Sequence, residues 1–130
     1  MSNSHLEAYR ELYENKLNPE KHPERVAKFS RNIRLDIEFD GTHYCGWQTQ
    51  ENGPTVQEAL EKALFLLLKE RVVVNGAGRT DSGVHARGMV ANFYTNGKIP
   101  GERIAFALNC MLPDDIVIKE SRDVSMLFHA

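Results

Sequence analysis

The sequence lacks a charge excess of one sign and a long apolar run. Its 130 residues contain 16 Lys and Arg against 18 Asp and Glu, a net charge of −2. Domains that bind nucleic acid usually carry a basic footprint, so the global charge gives no support for one, although a local basic patch can still bind RNA. The longest apolar run, residues 63–68, is too short to span a membrane.

Cysteine is scarce as well, with only Cys45 and Cys110 present. The two are far apart and have no metal-ligand spacing, which favours reduced thiols in a cytoplasmic protein over a disulfide. The N-terminus is polar and charged, unlike a secretory signal. Hydrophobic residues make up 42% of the chain, so we expect one domain with a proper core.

Hydrophobic periodicity predicts six elements in the order strand, helix, strand, strand, helix, strand. The strands are predicted at 32–39, 72–74, 89–94 and 116–122, and the helices at 55–68 and 100–111. Thr55 and Glu58 have the spacing of a capping box at the start of the first helix. This order is that of the α+β ferredoxin-like, RRM-like βαββαβ fold, with two helices on one face of an antiparallel sheet. Apolar residues that we expect to pack together across this interface are Leu60, Leu64, Leu67, Ile33, Leu35 and Ile37.

Residues 1–31 differ in character from residues 32–130, which we expect to form the folded domain. A helix is predicted at 4–16 and a second amphipathic turn at 24–29. We interpret residues 1–31 as a helical extension of unknown role that packs on the domain or on a partner. A basic arm for RNA is less well supported, because residues 1–32 contain six Lys and Arg against five Glu.

A polar, glycine-rich segment at 76–86 separates the second and third predicted strands. Glycine lets the backbone adopt positive φ or approach another group closely, and a core has no need of so many polar residues in a row. The segment is too long for a hairpin turn, so we expect it to protrude or to fold over the sheet. It predicts a functional site at the edge of the sheet.

Three chemistries fit this segment in part. A phosphate-binding loop is disfavoured, because Gly83 is not at the third position of G-x-G-x-x-G and no Gly-Lys-Ser/Thr follows. A metal site built on Asp81, His85 and His43 has no fixed ligand spacing. An aspartate nucleophile is the third, since a cation such as Arg79 keeps a neighbouring carboxylate ionised and an ionised Asp can attack covalently. Asp residues in surface turns are common, so the glycine setting favours this chemistry without deciding it.

The loop at 43–50 carries the only tryptophan and two glutamines. Tyr44 and Trp47 either fold back over the core or offer a stacking surface to a planar ligand. Composition alone favours the first alternative.

Several motifs follow one another along the chain: FDGTHYCGWQ at 39–48, TVQ at 55–57, GAGRTDSGVHA at 76–86, LN at 108–109 with LP at 112–113, and FHA at 128–130. In this order and spacing they closely resemble the N-terminal half of the TruA family of tRNA pseudouridine synthases. The resemblance runs from about Ile33 to Ala130 and does not cover the N-terminal extension. Ser82 stands where the family more often has alanine, and both are small.

The resemblance implies an enzyme that isomerises uridine to pseudouridine in the anticodon stem-loop of tRNA, just 3′ of the anticodon. Asp81 matches the family's catalytic aspartate, whose carboxylate attacks the target nucleotide at the base or at C1′ of the ribose. No metal or redox cofactor is expected. The target base must first leave the stack, at a cost of a few kcal/mol.

Further residues take supporting roles by the same resemblance. Arg79 is expected to hold the flipped nucleotide or the displaced RNA backbone. We expect Thr80, His85, Gln48 and Trp47 to line or support the substrate cleft. The family's enzymes are homodimers whose tRNA crosses both subunits, each half of the enzyme is ferredoxin-like, and no membrane is involved.

The sequence departs from the family by stopping at 128–130, where the family continues into a second, similar half with an active-site tyrosine. We therefore expect residues 32–130 to be an N-terminal catalytic half-domain that is inactive alone. Two alternatives are a non-catalytic RNA-binding module of RRM-like fold and a dimerisation domain. The outward face of the first strand carries Arg34, Asp36 and Glu38, which is a poor platform for stacking bases.

Overall fold

The computed structural model describes residues 17–48, 50, 53–78 and 83–130. In these residues a four-stranded antiparallel sheet is covered on one face by two helices, an α+β architecture. The strands are β1 (Arg31–Phe39), β2 (Asn75–Gly76), β3 (Ala86–Thr95) and β4 (Ile116–Val124). The helices are α1 (Pro23–Val26), α2 (Val56–Leu68) and α3 (Gly101–Asn109).

The strand order is β2-β3-β1-β4, and every neighbouring pair is antiparallel. Phe39, the last residue of β1, pairs with Ala86 at the start of β3 and with Ile116 at the start of β4. One end of the sheet therefore collects the turn after β1, the link into β3 and the link into β4. The candidate site is built from these connections.

The predicted packing of helices on the first strand is confirmed. Alternate residues of β1 are buried on one face, together with the apolar stripes of α2 and α3 in a single core cluster. Its members on these three elements include Ile33, Leu35, Ile37, Phe39, Leu60, Leu64, Ile104 and Leu108. Leu67 is partly buried at the margin of the cluster.

Helix α2 begins where the capping-box spacing predicts. Thr55 is the N-cap, and its hydroxyl oxygen accepts a hydrogen bond from the Glu58 amide at 3.3 Å. At the other end Lys69 adopts a left-handed conformation with φ 56°, and its amide donates to the Phe65 carbonyl at 3.0 Å. Local chemistry thus sets both ends of the main core helix.

The predicted strand at 72–74 is wrong. The β2 ladder consists of Asn75 and Gly76 only, paired with Asn92 and Ala91. Valines 72 and 74 are buried as their apolar character suggests, but the Val74 backbone bonds to side chains of α2 instead of to a neighbouring strand.

Other boundaries shift by a few residues. Strand β3 begins at Ala86, three residues before its predicted start, so the glycine-rich link shortens to residues 77–85. Helix α3 ends at Asn109. Met111, the last residue of the predicted helix, is consequently outside it and exposed, whereas Leu112 is buried.

The predicted helix at 4–16 lies outside the described residues. The predicted turn at 24–29 overlaps the short helix α1, which begins one residue earlier, at Pro23. Leu17 and Val26 pack with Tyr94 in a second apolar cluster, on the sheet face opposite α2 and α3. Across the described ranges, no helix is long and apolar enough to cross a membrane. Cys45 and Cys110 are both free thiols, the first half-buried and the second exposed.

Candidate active site

The glycine-rich segment is anchored on both sides of residues 79–82. On the β2 side the Ala77 amide donates to the Val90 carbonyl of β3 at 2.8 Å, which adds one hydrogen bond to the strand pairing. On the β3 side Gly83, with φ 77°, donates its amide to the Tyr44 carbonyl at 3.0 Å. The described residues on both sides of 79–82 are therefore held by backbone hydrogen bonds, to β3 on one side and to the loop after β1 on the other.

Three of the predicted site residues, Arg79, Thr80 and Asp81, lie between these anchors and outside the described residues. The structure describes the other three, His85, Gln48 and Trp47. It brings all three to the same end of the sheet as the anchors, but in different environments.

The turn after β1 packs directly on the returning end of the segment. Gly41 lies so close to Val84 that a Cβ on Gly41 would be 1.9 Å from the Val84 carbonyl oxygen. The Gly41 amide also donates to Nδ1 of His85 at 2.9 Å. Only a residue without a side chain allows this approach, so Gly41 sets how closely the segment lies on the turn.

Of the three predicted site residues that the structure describes, His85 is the most open to solvent, with 61% of its side chain exposed. Because Nδ1 accepts from Gly41, the proton of the neutral ring is on Nε2. Asp40 Oδ1 lies 3.1 Å from the same Nδ1, so an ion pair between them forms only if the ring gains a second proton and gives up the Gly41 bond. Hydrogen bonds from the Thr42 hydroxyl and amide lower the pKa of the Asp40 carboxyl.

Trp47 packs in the core against Gly76, at the start of the segment. Its side chain is 2% exposed and stacks on Phe39, with ring centroids 6.3 Å apart. A Cβ on Gly76 would lie 2.4 Å from the indole Nε1. Tyr44 and Trp47 both belong to the core cluster, so the prediction that they fold over the core is confirmed. Gln48 is half-buried beside Trp47.

A cleft of about 480 Å³ opens at this end of the sheet. It is bordered by the ends of β1, β3 and β4, and its lining residues are Glu38, Phe39, Asp40, His85, Ala86, Arg87, Asp114, Asp115 and Val117. Carboxylates outnumber cations in this lining. Because RNA phosphates are bound by Lys and Arg, these cleft walls do not by themselves supply the basic surface that a tRNA backbone needs.

A tyrosine–aspartate contact that the sequence did not predict joins the loop at 43–50 to the residue just before β4. The Tyr44 hydroxyl donates to Asp115 Oδ1 at 2.7 Å, across 71 positions of sequence. The Asp115 carbonyl in turn accepts from the Asp40 amide at 2.9 Å. Burial and the Asp115 hydrogen bond raise the pKa of the Tyr44 phenol. No local pattern in the sequence could have paired these residues.

Two side chains of α2 hold the chain just before the segment. Glu61 Oε2 accepts from the Val74 amide at 2.9 Å, and Gln57 Nε2 donates to the Val74 carbonyl at 2.9 Å. They replace the ladder hydrogen bonds that a longer β2 would have supplied. In the part of the chain that the structure describes, no three His, Cys, Asp or Glu side chains come together as metal ligands.

The Glu61 carboxyl predicts a measurable pH dependence of stability. Burial raises its pKa from 4.5 to about 7, against the opposing effects of the Val74 amide and Arg71. The folded chain then binds this proton more tightly than the unfolded chain, so the free energy of unfolding falls as pH rises from about 4.5 to 7. Glu61→Gln keeps an oxygen that can accept from Val74 and cannot ionise. We expect it to raise the free energy of unfolding at pH 8 by about 1–3 kcal/mol.

Urea unfolding at pH 5 and pH 8 checks this. Glu120→Gln, at an exposed carboxyl on β4, is the control and should leave the pH dependence as in the unmodified chain. Equal pH dependence in the Glu61→Gln chain and the unmodified chain would contradict the role of Glu61.

The comparisons with known proteins all point to the same family. The family model described as tRNA pseudouridine synthase matches residues 37–130. The chain is 61% identical over 100 residues to a tRNA pseudouridine synthase A of Acetivibrio thermocellus, covering 77% of this chain and 41% of that protein. It is 59% identical to that of Ruminiclostridium cellulolyticum with the same coverage. For the protein of Geobacter sp. the identity is 56% over 99 residues, covering 76% and 40%. The chain thus spans about two fifths of the length of these curated relatives.

Proposed function

Because the chain belongs to the tRNA pseudouridine synthase family, we propose that it carries the aspartate-bearing part of an enzyme that isomerises uridine to pseudouridine in the anticodon stem-loop of tRNA. Asp81 is the proposed catalytic residue. The observation that supports the proposal is that the described residues on both sides of 79–82 are held at this end of the sheet, Ala77 by β3 and Gly83 by Tyr44. Asp81 lies between them in the sequence, two residues before Gly83.

The proposed chemistry is an isomerisation in which no atom is gained or lost overall. The Asp81 carboxylate attacks the nucleotide at C1′ or at the base, and the bond between N1 and C1′ breaks. The uracil turns, a bond forms between C5 and C1′, and the carboxylate is released. C5 loses a proton and N1 gains one, so the reaction needs neither oxidant nor reductant.

The remaining predicted residues support this step in different ways. Arg79, next to Thr80 and Asp81 in the chain, supplies a cation that keeps the carboxylate ionised and can hold the flipped nucleotide. His85 has Nδ1 engaged by Gly41, which leaves Nε2–H as the donor for substrate. Trp47 acts through its contact with the chain before the segment, and Gln48 lies beside it.

We assign the fold to the ferredoxin-like class, because the strand order β2-β3-β1-β4 with antiparallel neighbours is what the βαββαβ order gives. In the whole enzyme, which we propose to be a cytoplasmic homodimer, the cleft gains its second wall and a basic surface from outside the described residues. The carboxylate-rich cleft lining described above is consistent with that division of roles.

A non-catalytic RNA-binding module of RRM type is the weaker candidate. Such modules stack bases on exposed aromatic side chains of the sheet. Here Tyr94 lies on the face opposite the helices, but it is fully buried beneath Leu17 and Val26. Among the residues that the structure describes, that face therefore presents no exposed tyrosine to a base.

The two functions are separated by an assay of the whole enzyme on tRNA whose uridines are tritiated at C5. Isomerisation must release the C5 proton, so we expect tritium release with tRNA. A matched tRNA with cytidine in place of the uridine 3′ of the anticodon should show that release lost at that position. RNA binding without any release of tritium would overturn the enzymatic proposal and favour the binding module.

A further inference from the structure

The first residue of β2 binds the backbone of a distant segment. Asn75 is fully buried, and its side-chain amide makes two hydrogen bonds to one residue. Oδ1 accepts from the Leu17 amide at 3.3 Å, and Nδ2 donates to the Leu17 carbonyl at 3.0 Å. Asn75 lies two residues before Ala77, whose amide makes the hydrogen bond to β3 at the start of the segment that carries Asp81.

We call residues 17–30 the strap, because both of their ends are tied to the sheet by asparagine side chains. Leu17 is held by Asn75 at one end. At the other end Asn96 accepts from the Ser30 amide at 2.8 Å and donates to the Lys28 carbonyl at 3.0 Å. Asn75 belongs to β2 and Asn96 follows β3, so the strap runs along the face of these two strands.

The strap is packed against the sheet between its two ends. Val26 and Leu17 are buried against Tyr94. Phe29 stacks on the Tyr94 ring with centroids 6.4 Å apart. Near its start the strap folds on itself, where the Glu20 amide donates to Asn18 Oδ1 at 2.8 Å. It is therefore a compact element with its own apolar cluster.

Because it binds Asn75, the strap helps to hold the chain just before the segment that carries Asp81. Strand β2 is only two residues long, so few ladder bonds hold the chain before the segment. On the helix side, Gln57 and Glu61 hold Val74. On the opposite face of the sheet, two hydrogen bonds to the Leu17 backbone hold the Asn75 side chain. Without the strap, the Asn75 amide would lose both partners.

We propose that the strap is a positioning element, which acts through Asn75 to fix the point where the Asp81 segment leaves the sheet. Residues 17–30 precede residues 37–130, which the family model matches. The inference rests on the proposed catalytic role of Asp81. The test therefore includes a measurement that needs no substrate.

Amide hydrogen exchange at Ala77 and Gly83 is that measurement, since both amides are bonded at the ends of the segment. We expect Asn75→Ala to speed exchange at both amides by about 10-fold. Asn92→Ala is a matched control, because Asn92 is the fully buried cross-strand partner of Asn75. Its amide bonds to Asn32 and Ala130 instead of to the strap. Exchange at Ala77 and Gly83 should not respond to Asn92→Ala beyond the change in global stability.

A chain that begins at Arg31 tests the strap itself. It should show the fast exchange of the Asn75→Ala chain, and adding Asn75→Ala to it should change exchange at Ala77 no further. If Asn75→Ala alone leaves exchange at both amides as in Asn92→Ala, the strap has no positioning role. If Asn75→Ala remains additive in the shortened chain, Asn75 acts without the strap, which also overturns the proposal.

Turnover provides the second readout. In the whole enzyme, Asn75→Ala is expected to lower kcat about 10-fold with KM for tRNA changed by less than about twofold, because the reacting group is misplaced and not removed. Asn92→Ala should keep kcat. If Asn75→Ala speeds amide exchange but the unmodified enzyme forms no pseudouridine, the proposed function is wrong, while the positioning of the segment by the strap still stands. Altered exchange with unchanged kcat would reject positioning in catalysis.

Discussion

Replacing Gly41 by alanine is expected to lower the free energy of unfolding by about 3 kcal/mol. The added Cβ would lie 1.9 Å from the Val84 carbonyl oxygen and 2.6 Å from its carbon. Both atoms are backbone, so no side chain can rotate out of the way. The turn and the segment must separate, which stretches the hydrogen bond from the Gly41 amide to His85 and the neighbouring bond from Gly83 to Tyr44.

Urea unfolding of the Gly41→Ala chain measures this loss. Gly88→Ala in β3 is the control, because a Cβ there would have no atom within 4 Å. It should change the free energy of unfolding by less than about 0.5 kcal/mol. A Gly41→Ala chain as stable as the Gly88→Ala chain would show that the segment is not held on the turn.

Elements whose stability comes from local patterns were predictable from the sequence. Helix α2 combines a cap at Thr55 with an apolar stripe at helical spacing, and both features operate within a few residues. In strand β1 alternate residues from Ile33 to Phe39 are buried and those between them are half-buried, so its face toward the helices could be assigned without knowing its partners.

The predicted strand at 72–74 is wrong because an apolar run indicates burial but does not specify hydrogen-bond partners. The Val74 backbone bonds to Gln57 and Glu61, which come from a helix that ends before it in the chain. The contact between Asn75 and Leu17 spans 58 positions, and no local pattern announces such a pairing. Contacts of this kind depend on tertiary packing, so they required the structure.

The sequence identified the segment that carries the candidate site, but not which residues pack around it. Glycine enrichment indicated close backbone approach, and the structure identifies two such approaches, of Gly41 to Val84 and of Gly76 to Trp47. Trp47 was open to two interpretations because one aromatic residue in a loop can face either solvent or core. Its burial against Phe39 decides that it packs inward.

The largest expected effect on activity is that of Asp81→Asn. Asparagine has nearly the shape of aspartate but carries no charge, so it cannot act as the carboxylate nucleophile. We expect pseudouridine formation to fall by at least about 10⁴-fold. Binding of tRNA should be retained, because removing a negative charge near phosphates does not weaken their attraction to Lys and Arg. Ser82→Ala, the adjacent small-for-small change, is the matched control and should keep full activity.

The most direct test of Asp81 as the catalytic residue is a single-turnover measurement with the whole enzyme in excess over tRNA. Pseudouridine in the anticodon stem-loop is followed with time, and the Kd for tRNA is measured on the same preparations. The proposed role predicts conversion by the unmodified enzyme and by Ser82→Ala, and no detectable product from Asp81→Asn at an unchanged Kd. Pseudouridine formation by Asp81→Asn at a rate near that of the unmodified enzyme would contradict it.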